Sequence, residues 1–171
     1  IINFKNKLYL TGYIIGTEGY QLSADTFYSG SGFILRTDTI GNYEKSFLIK
    51  CKHATANATT GTIHCLTSDG NFLYFGGKYK DSVTWVNKTI APEYLPSADH
   101  DEFFIASLTK DLKPRWFYRP KVLDKSDPYK AGNYFGKVSF SKGLLYFGES
   151  FNSEILIDSN ILFSKKAQEI Y

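Results

Sequence analysis

Several common features are missing from this sequence, and each absence excludes a class of protein. Basic residues do not dominate, because 20 Lys and Arg stand against 17 Asp and Glu and the net charge is only +3. Such a balance provides no electrostatic footprint for nucleic acid. No apolar run approaches the roughly 18 residues of a transmembrane helix, and no signal-peptide pattern opens the chain. We therefore expect neither a nucleic-acid partner nor a membrane span.

Methionine is absent from all 171 residues, position 1 included. Because an intact translation product begins with Met, we expect a processed chain or an internal piece of a longer one. Helical patterning is nearly missing as well, since no long segment places apolar residues at the i, i+3, i+4 and i+7 positions of an amphipathic helix. Strands are the remaining choice for a chain of this size.

Cysteine is scarce too, with only Cys51 and Cys65 in the chain. A disulfide between them would close a short loop and contribute on the order of 3 kcal/mol. Two unpaired buried thiols are the alternative, and a metal site is a third, although no C-x-x-C spacing occurs. Asn57 and Asn87 begin N-x-[ST] sequons and are candidate glycosylation sites. The candidate disulfide and the sequons favour a secreted or cell-surface protein.

Aromatic residues, by contrast, are abundant: 13 Tyr and 14 Phe raise the aromatic fraction to 17%. Rings and β-branched side chains suit a pleated, half-buried surface. Short alternating runs bounded by Gly, Asn, Asp and Pro recur throughout. They predict strands over residues 7–15, 32–38, 43–51, 61–67, 72–80, 83–86, 102–109, 114–119, 135–140, 144–151 and 154–158. Hairpin turns are predicted at 68–71 and 141–143, where glycine supplies a positive φ.

One strand motif recurs three times in this strand-rich sequence. The copies are Leu8–Gly12, Leu73–Gly77 and Leu145–Glu149. Each is followed by a shorter pair of apolar segments, at 22–27, 85–90 and 157–162. Residues 73–90 map onto 145–162 without a gap, 72 positions apart. A repeat of that length indicates one supersecondary unit used several times.

The repeating unit is predicted to contain four strands. Residues 61–134 hold a complete unit, residues 1–60 hold strands two to four of another, and residues 135–171 hold the first two strands of a third. Four-stranded antiparallel units in series are the blades of a β-propeller, which typically closes with about 4–8 of them. We expect an all-β fold that is an incomplete ring of propeller blades. Its unpaired edges need further blades, from the same chain or another.

Two strand motifs and a tryptophan follow one another in a fixed order. The residues concerned are Leu10–Gly12 and Phe75–Gly77, then Asp101–Leu108, then Trp116. This order resembles the bacterial seven-bladed β-propeller (SBBP) repeat, in which a Tyr-Val-Thr-Gly-like strand precedes an Asp-x-Phe-Ile-x-Lys-Leu strand, an Asp-Gly turn and a Trp. The first copy departs at Gly32, where an acidic residue is expected, and at Tyr43, where Trp is expected. The resemblance implies a propeller fold and no particular activity, because propellers host many functions.

One polar cluster and a few aromatic residues are the candidates for chemistry. Asp99, Asp101 and Glu102 could offer oxygen ligands to Ca²⁺, although a solvated turn is the simpler interpretation, so no metal is assigned. Trp85 and Tyr94 could stack on a sugar ring or pack against a protein partner, whereas large rings elsewhere are expected to fill the space between blades. No G-x-S-x-G, H-E-x-x-H or Walker motif is present, so no catalytic residue and no cofactor are predicted.

These observations predict a non-enzymatic structural or interaction module of a larger secreted or cell-surface protein. Its blades would form a rigid support for protein partners or for self-assembly. Carbohydrate binding by exposed aromatic residues is the alternative, and a hydrolase is the third candidate.

Overall fold

The structure is a computed structural model in which every regular element is a strand. It describes residues 1–14, 20–22, 25–27, 30–51, 61–79, 82–85, 88–90, 102–119, 121–122, 134–151, 154–157, 160–163 and 169–170. No helix occurs in these ranges, so the predicted all-β class is confirmed. Among the same residues, no helix is long and apolar enough to cross a membrane.

Within the described ranges, eighteen strands follow one another along the chain. They are β1 (Ile2–Phe4), β2 (Lys7–Tyr13), β3 (Tyr20–Leu22), β4 (Asp25–Phe27), β5 (Gly32–Thr37), β6 (Tyr43–Cys51), β7 (Gly61–Ser68), β8 (Phe72–Tyr79), β9 (Val83–Trp85), β10 (Lys88–Ile90), β11 (Glu102–Thr109), β12 (Pro114–Tyr118), β13 (Lys121–Val122), β14 (Tyr134–Ser141), β15 (Leu144–Phe151), β16 (Glu154–Ile157), β17 (Asn160–Phe163) and β18 (Glu169–Ile170). All the strands that the sequence predicts are present within one or two residues. Seven short strands are additional to that list: β1, β3, β4, β10, β13, β17 and β18.

The chain builds the same antiparallel arrangement three times. The first sheet contains β1-β2-β5-β6, the second β7-β8-β11-β12 and the third β14-β15-β18. In each sheet a two-stranded hairpin lies in the chain between the second and third strands: β3–β4, β9–β10 and β16–β17. The described sheets do not close into a ring, so propeller closure is not part of the observed fold.

The register of pairing repeats together with the strands. A bulge at His64 interrupts the β7–β8 ladder, and a bulge at Gly136 interrupts β14–β15 at the corresponding place, 72 residues later. The turns between these strands place Gly70 and Gly143 at φ values of 87° and 81°, as the hairpin prediction requires. The structural repeat therefore extends back to the first strand of each unit, beyond the residues in which the sequence shows it.

The fourth strand corrects one detail of the predicted alignment. Trp116 lies opposite Ser107 in the second sheet, next to a bulge. The matching bulge in the first sheet places Lys45 opposite Arg36. Lys45 therefore occupies the Trp116 position, and Tyr43 occupies that of Pro114 on the other side of the bulge.

The three sheets stack face to face, and the core has two layers. The larger layer lies between the first and second sheets and includes the buried side chains of Tyr9, Ile34, Phe75 and Phe104. The smaller layer lies between the second and third sheets and includes Phe103, Ile105 and Val138, with Cys65, Trp116, Leu145 and Phe147 packed against it. Strand β11 contributes to both layers because successive side chains of a strand point to opposite faces. The second sheet is therefore covered on both faces.

The hairpins connect neighbouring sheets. Strand β9 pairs with β6, so the hairpin β9–β10 extends the first sheet although its sequence belongs to the second unit. Strand β13 continues from β12, and it pairs with β16 of the third unit's hairpin. These two hairpins thus attach to the last strand of the unit before them.

Candidate functional site

The most exposed apolar surface on a regular element is the outer face of the third sheet. Leu144 is 58% exposed and Tyr146 is 51% exposed, and they share one face of β15 because they are two residues apart. Their neighbours Leu145 and Phe147 point the opposite way, into the layer shared with the second sheet. We refer to Leu144 and Tyr146 as the outer face. It presents two large apolar side chains to solvent, beside the exposed Lys137 and Ser139 of β14.

The equivalent face of the second sheet is covered by the third. Tyr74, the counterpart of Tyr146, stacks on Phe140 with ring centroids 5.9 Å apart and planes 7° apart. Its hydroxyl donates to Asp69 Oδ2 at 2.7 Å, and burial together with the Asp69 carboxylate raises the pKa of Tyr74. The outer face is therefore the same surface without a following sheet on top of it.

A buried polar cluster joins the two halves of the second sheet. The Tyr79 hydroxyl donates to Glu102 Oε2 at 2.8 Å, and Arg119 Nη1 lies 3.0 Å from the same oxygen. Burial, followed by the Glu102 charge, raises the pKa of Tyr79, so its hydroxyl stays protonated at neutral pH. The carboxylate is thus already bound by two protein partners. The cluster connects β8, β11 and the end of β12, and no nucleophile is part of it.

A second polar network joins the first sheet to the β11–β12 turn. The Tyr9 hydroxyl donates to the carbonyl of Lys110 at 2.7 Å. Arg36 Nη1 donates to the same carbonyl at 3.1 Å and pairs with Asp111 at 2.9 Å, while Arg36 Nε lies 3.0 Å from Glu44. The contacts of Tyr9 and Arg36 with Lys110 and Asp111 cross from the first unit to the second, at the end of the stack where the turns lie. Their effect is to fix the position of adjacent sheets rather than to form a reactive centre.

An open cleft lies at the same turns. It has a volume of about 520 Å³ and is lined by Lys5, Asn71, Phe72, Thr109, Lys110, Asp111 and Lys113. Its one acidic lining residue, Asp111, is already paired with Arg36. We assign no ligand to this cleft.

Glu102 is the one predicted metal candidate that the structure describes. It is only 6% exposed and is engaged by Tyr79 and Arg119 as given above. Asp99 and Asp101 lie outside the described residues, so the proposed calcium loop stays a prediction. Within the described ranges, no group of three or more His, Cys, Asp and Glu side chains comes together to hold a metal ion.

Trp85 is not available for ligand stacking. Its side chain is 8% exposed, and its ring lies 5.5 Å from that of Phe47 and 5.3 Å from that of Phe117. The expectation of an exposed Trp85 is wrong, because β9 pairs with β6 and carries the indole into the core. Tyr94 lies outside the described residues, and stacking there stays a prediction.

Cys65 carries a free thiol in the structure. Its Sγ lies 3.7 Å from the carbonyl oxygen of Gly76, and burial raises the pKa of the thiol to about 11. The Cys51 side chain is outside the described part of the chain, as are the candidate glycosylation sites Asn57 and Asn87. The predicted disulfide and the use of both sequons therefore stay predictions.

Comparisons of the chain with models of protein families, with curated proteins and with solved structures found no match. The resemblance to the SBBP repeat is therefore an expectation from the motif alone. The outer face and the hairpin edges are the features from which a function can be argued.

Proposed function

We propose that this chain is a structural and interaction module made of propeller-type blades. The observation that supports it best is that the second sheet uses one face for the unit before it and the other for the unit after it. Phe75 of β8 packs towards the first sheet, against Phe47 at 5.9 Å, while its neighbour Tyr74 packs towards the third. The stacking is therefore head to tail: the second sheet packs on the first with one face and on the third with the opposite face.

The outer face is the point at which this series stays open. Leu144 and Tyr146 occupy the positions of Phe72 and Tyr74 in the second sheet, where Phe140 of the third sheet stacks on Tyr74. A surface that is covered inside the chain and exposed at its end favours association with another sheet of the same kind. Contacts of this head-to-tail type close into rings or extend into filaments. We place the module in a secreted or cell-surface protein, on the basis of its sequons and cysteine pair.

Sedimentation velocity over a concentration series tests this role. We expect the wild-type chain to self-associate as its concentration rises, because apolar faces are exposed at the end of the stack. Tyr146→Lys should return it towards the monomer, since a buried ammonium in that contact has no partner. Ile40→Lys is the matched control. Ile40 is 83% exposed and lies in a turn, so this substitution adds the same charge away from the outer face.

Two results would contradict the proposal. One is a wild-type chain that stays monomeric up to its solubility limit. The other is equal association of the wild type, Tyr146→Lys and Ile40→Lys, which would show that the contact lies elsewhere. Circular dichroism of both variants checks that the strands are retained.

A further inference from the structure

We infer that β3 is an acceptor edge for the last strand of another four-stranded unit. The inference rests on the proposed modular function and specifies which edge is used and in which register. Twice within this chain, a hairpin takes up the last strand of the preceding unit: β9 takes β6, and β16 takes β13. The hairpin β3–β4 is the third of the set, and among the described residues β3 pairs with β4 alone.

The two observed exchanges have the same register. In the first, Lys50 lies opposite Thr84 and Cys51 opposite Val83. In the second, a Lys-Val dipeptide, residues 121–122, lies opposite Leu156 and Ile155 in the same sense. The incoming strand therefore presents a lysine followed by an apolar residue in both cases. A geometry that recurs with the same offsets is a property of the repeat, not of one local sequence.

The three hairpins are equivalent residue by residue. Leu22 pairs with Asp25 next to the turn, as Trp85 pairs with Lys88 and Ile157 pairs with Asn160. Two residues separate the members of each pair, so the register of the three hairpins is identical. It follows that Tyr20 occupies the position of Val83, and Gln21 that of Thr84.

Exposure distinguishes the occupied hairpin from the open one. Val83, opposite Cys51 of the incoming strand, is 1% exposed, whereas Tyr20 at the matching position is 54% exposed. A tyrosine with half of its surface in water at a strand edge is the surface that an added strand would cover. The open edge of β3 therefore corresponds to the edge of β9 that pairs with β6.

Backbone geometry identifies the group that would receive the strand. In a hairpin with a two-residue turn, the pair beside the turn exchanges hydrogen bonds and the next pair does not. Leu22 and Asp25 are the pair beside the turn, so the N–H and C=O of Gln21 point away from β4. They face the open edge, as the corresponding groups of Thr84 face β6. Main-chain hydrogen bonds at Gln21 would thus provide the affinity, as in other cases of strand addition.

The occupant is a strand of stated chemistry. It is the extended end of a four-stranded unit, carrying a lysine opposite Gln21 and an apolar residue opposite Tyr20. Strands β6 and β13, which have this pattern, already pair with β9 and β16. The occupant is therefore the last strand of a further unit, for which residues 114–122 of this chain, PRWFYRPKV, provide a synthetic model.

Titrating that peptide into the isotope-labelled full chain tests the inference by amide NMR. We expect saturable shifts and slowed hydrogen exchange at Gln21. Gln21→Pro, which removes the outward N–H without removing a bond to β4, should weaken this binding about tenfold or more. Thr26→Pro is the matched control: Thr26 lies opposite Gln21, so its N–H points out of the other edge of the same hairpin. It should leave binding at Gln21 unchanged.

A second measurement does not depend on the folding of any variant. Methylating the peptide nitrogen at Lys121 should abolish binding, because that N–H would donate to the carbonyl of Gln21. Absence of any change at Gln21 would overturn the inference. So would binding of the methylated peptide to the wild type, or of the unmodified peptide to Gln21→Pro, that is as tight as binding of the unmodified peptide to the wild type. If the peptide does not bind at Gln21 but the chain still self-associates through Tyr146, the inference fails and the proposed function stands. If the peptide binds at Gln21 but the chain stays monomeric, the inference stands and the proposed self-association fails.

Discussion

The second and third sheets have closely related sequences and different surroundings. Residues 73–90 repeat at 145–162, yet the second sheet is buried on both faces and the third on only one. Leu73 is fully buried, whereas Leu145 is only partly buried and Leu144 beside it is 58% exposed. The difference teaches that the repeat encodes two core faces for every unit, and that the number of neighbours decides how many of them are used.

The largest expected contrast is between two equivalent phenylalanines. Phe75 is 0% exposed and lies 5.9 Å from the ring of Phe104, so Phe75→Ala should lower the free energy of unfolding by about 3–5 kcal/mol. Phe147, its counterpart, is only partly buried, and Phe147→Ala should cost less, about 1–2 kcal/mol. Urea unfolding followed by tryptophan fluorescence measures both. Equal losses would show that the third sheet is as well packed as the second.

Glycine gives the next contrast. A Cβ added at Gly77 would lie 1.9 Å from the carbonyl oxygen of Thr62, whereas at Gly148 it would meet nothing within 4 Å. We expect Gly77→Ala to destabilise the protein by about 1–3 kcal/mol and Gly148→Ala to be neutral or slightly stabilising. Thermal unfolding of the two variants makes the comparison. The third copy has Glu149 at the position of Gly77, so the close approach is specific to the second copy. If Gly77→Ala does not lower stability, β7 and β8 do not approach as closely as described.

The pH dependence of stability should give a smaller contrast between the second and third units. Burial and Glu102 raise the pKa of Tyr79 above its ordinary value of 10.0. Above pH 10 the folded state holds a proton that the unfolded state releases. The contribution of Tyr79 to the free energy of unfolding is therefore fully present below pH 10. It falls as the pH rises further, by at most about 1.4 kcal/mol per pH unit. Tyr79→Phe, which introduces the residue that Phe151 provides in the third copy, should make this decline shallower.

Urea unfolding of the wild type and Tyr79→Phe between pH 8 and about 11 measures the effect. Tyr9 and Tyr74 also have raised pKa values and remain in both proteins, so they supply the same background. Parallel stability curves for the two proteins would contradict the assignment to Tyr79.

The smallest effect concerns reactivity rather than stability. Cys65 is covered in the second sheet and has a thiol pKa of about 11, while Lys137 at the matching position of the third sheet is exposed. In a Cys51→Ser background, iodoacetamide at pH 8 should label Cys65 slowly, because little thiolate is present. A Cys65→Ser, Lys137→Cys chain should react faster. Equal rates would show that the second and third sheets separate readily.

The wild-type chain answers a related question in the same assay. Denatured without reductant, it should expose two reactive thiols if Cys51 and Cys65 are unpaired and none if they form the predicted disulfide. The free Cys65 of the structure favours the first result.

Local patterns predicted most of this fold, and long-range pairing accounts for what they missed. Alternation and turn glycines located the main strands, and the matched segments 22–27, 85–90 and 157–162 became three identical hairpins. The burial of Trp85 was not predictable in this way, since it depends on pairing between β9 and β6, which are far apart in sequence. The strands β1 and β18 were missed because two or three residues carry no usable periodicity.

The exchange of strands between units also has a consequence for how the chain is made. During synthesis each completed sheet presents its last strand before the next unit's hairpin has left the ribosome. The edge of β6 therefore acts as a template on which β9 can form as soon as residue 85 or so is exposed. Assembly of this kind proceeds from the N-terminus towards the C-terminus, one unit at a time. A stall or a truncation before residue 83 would leave the edge of β6 unpaired, and unpaired strand edges favour aggregation. The order of synthesis and the avoidance of aggregation are therefore linked in this protein.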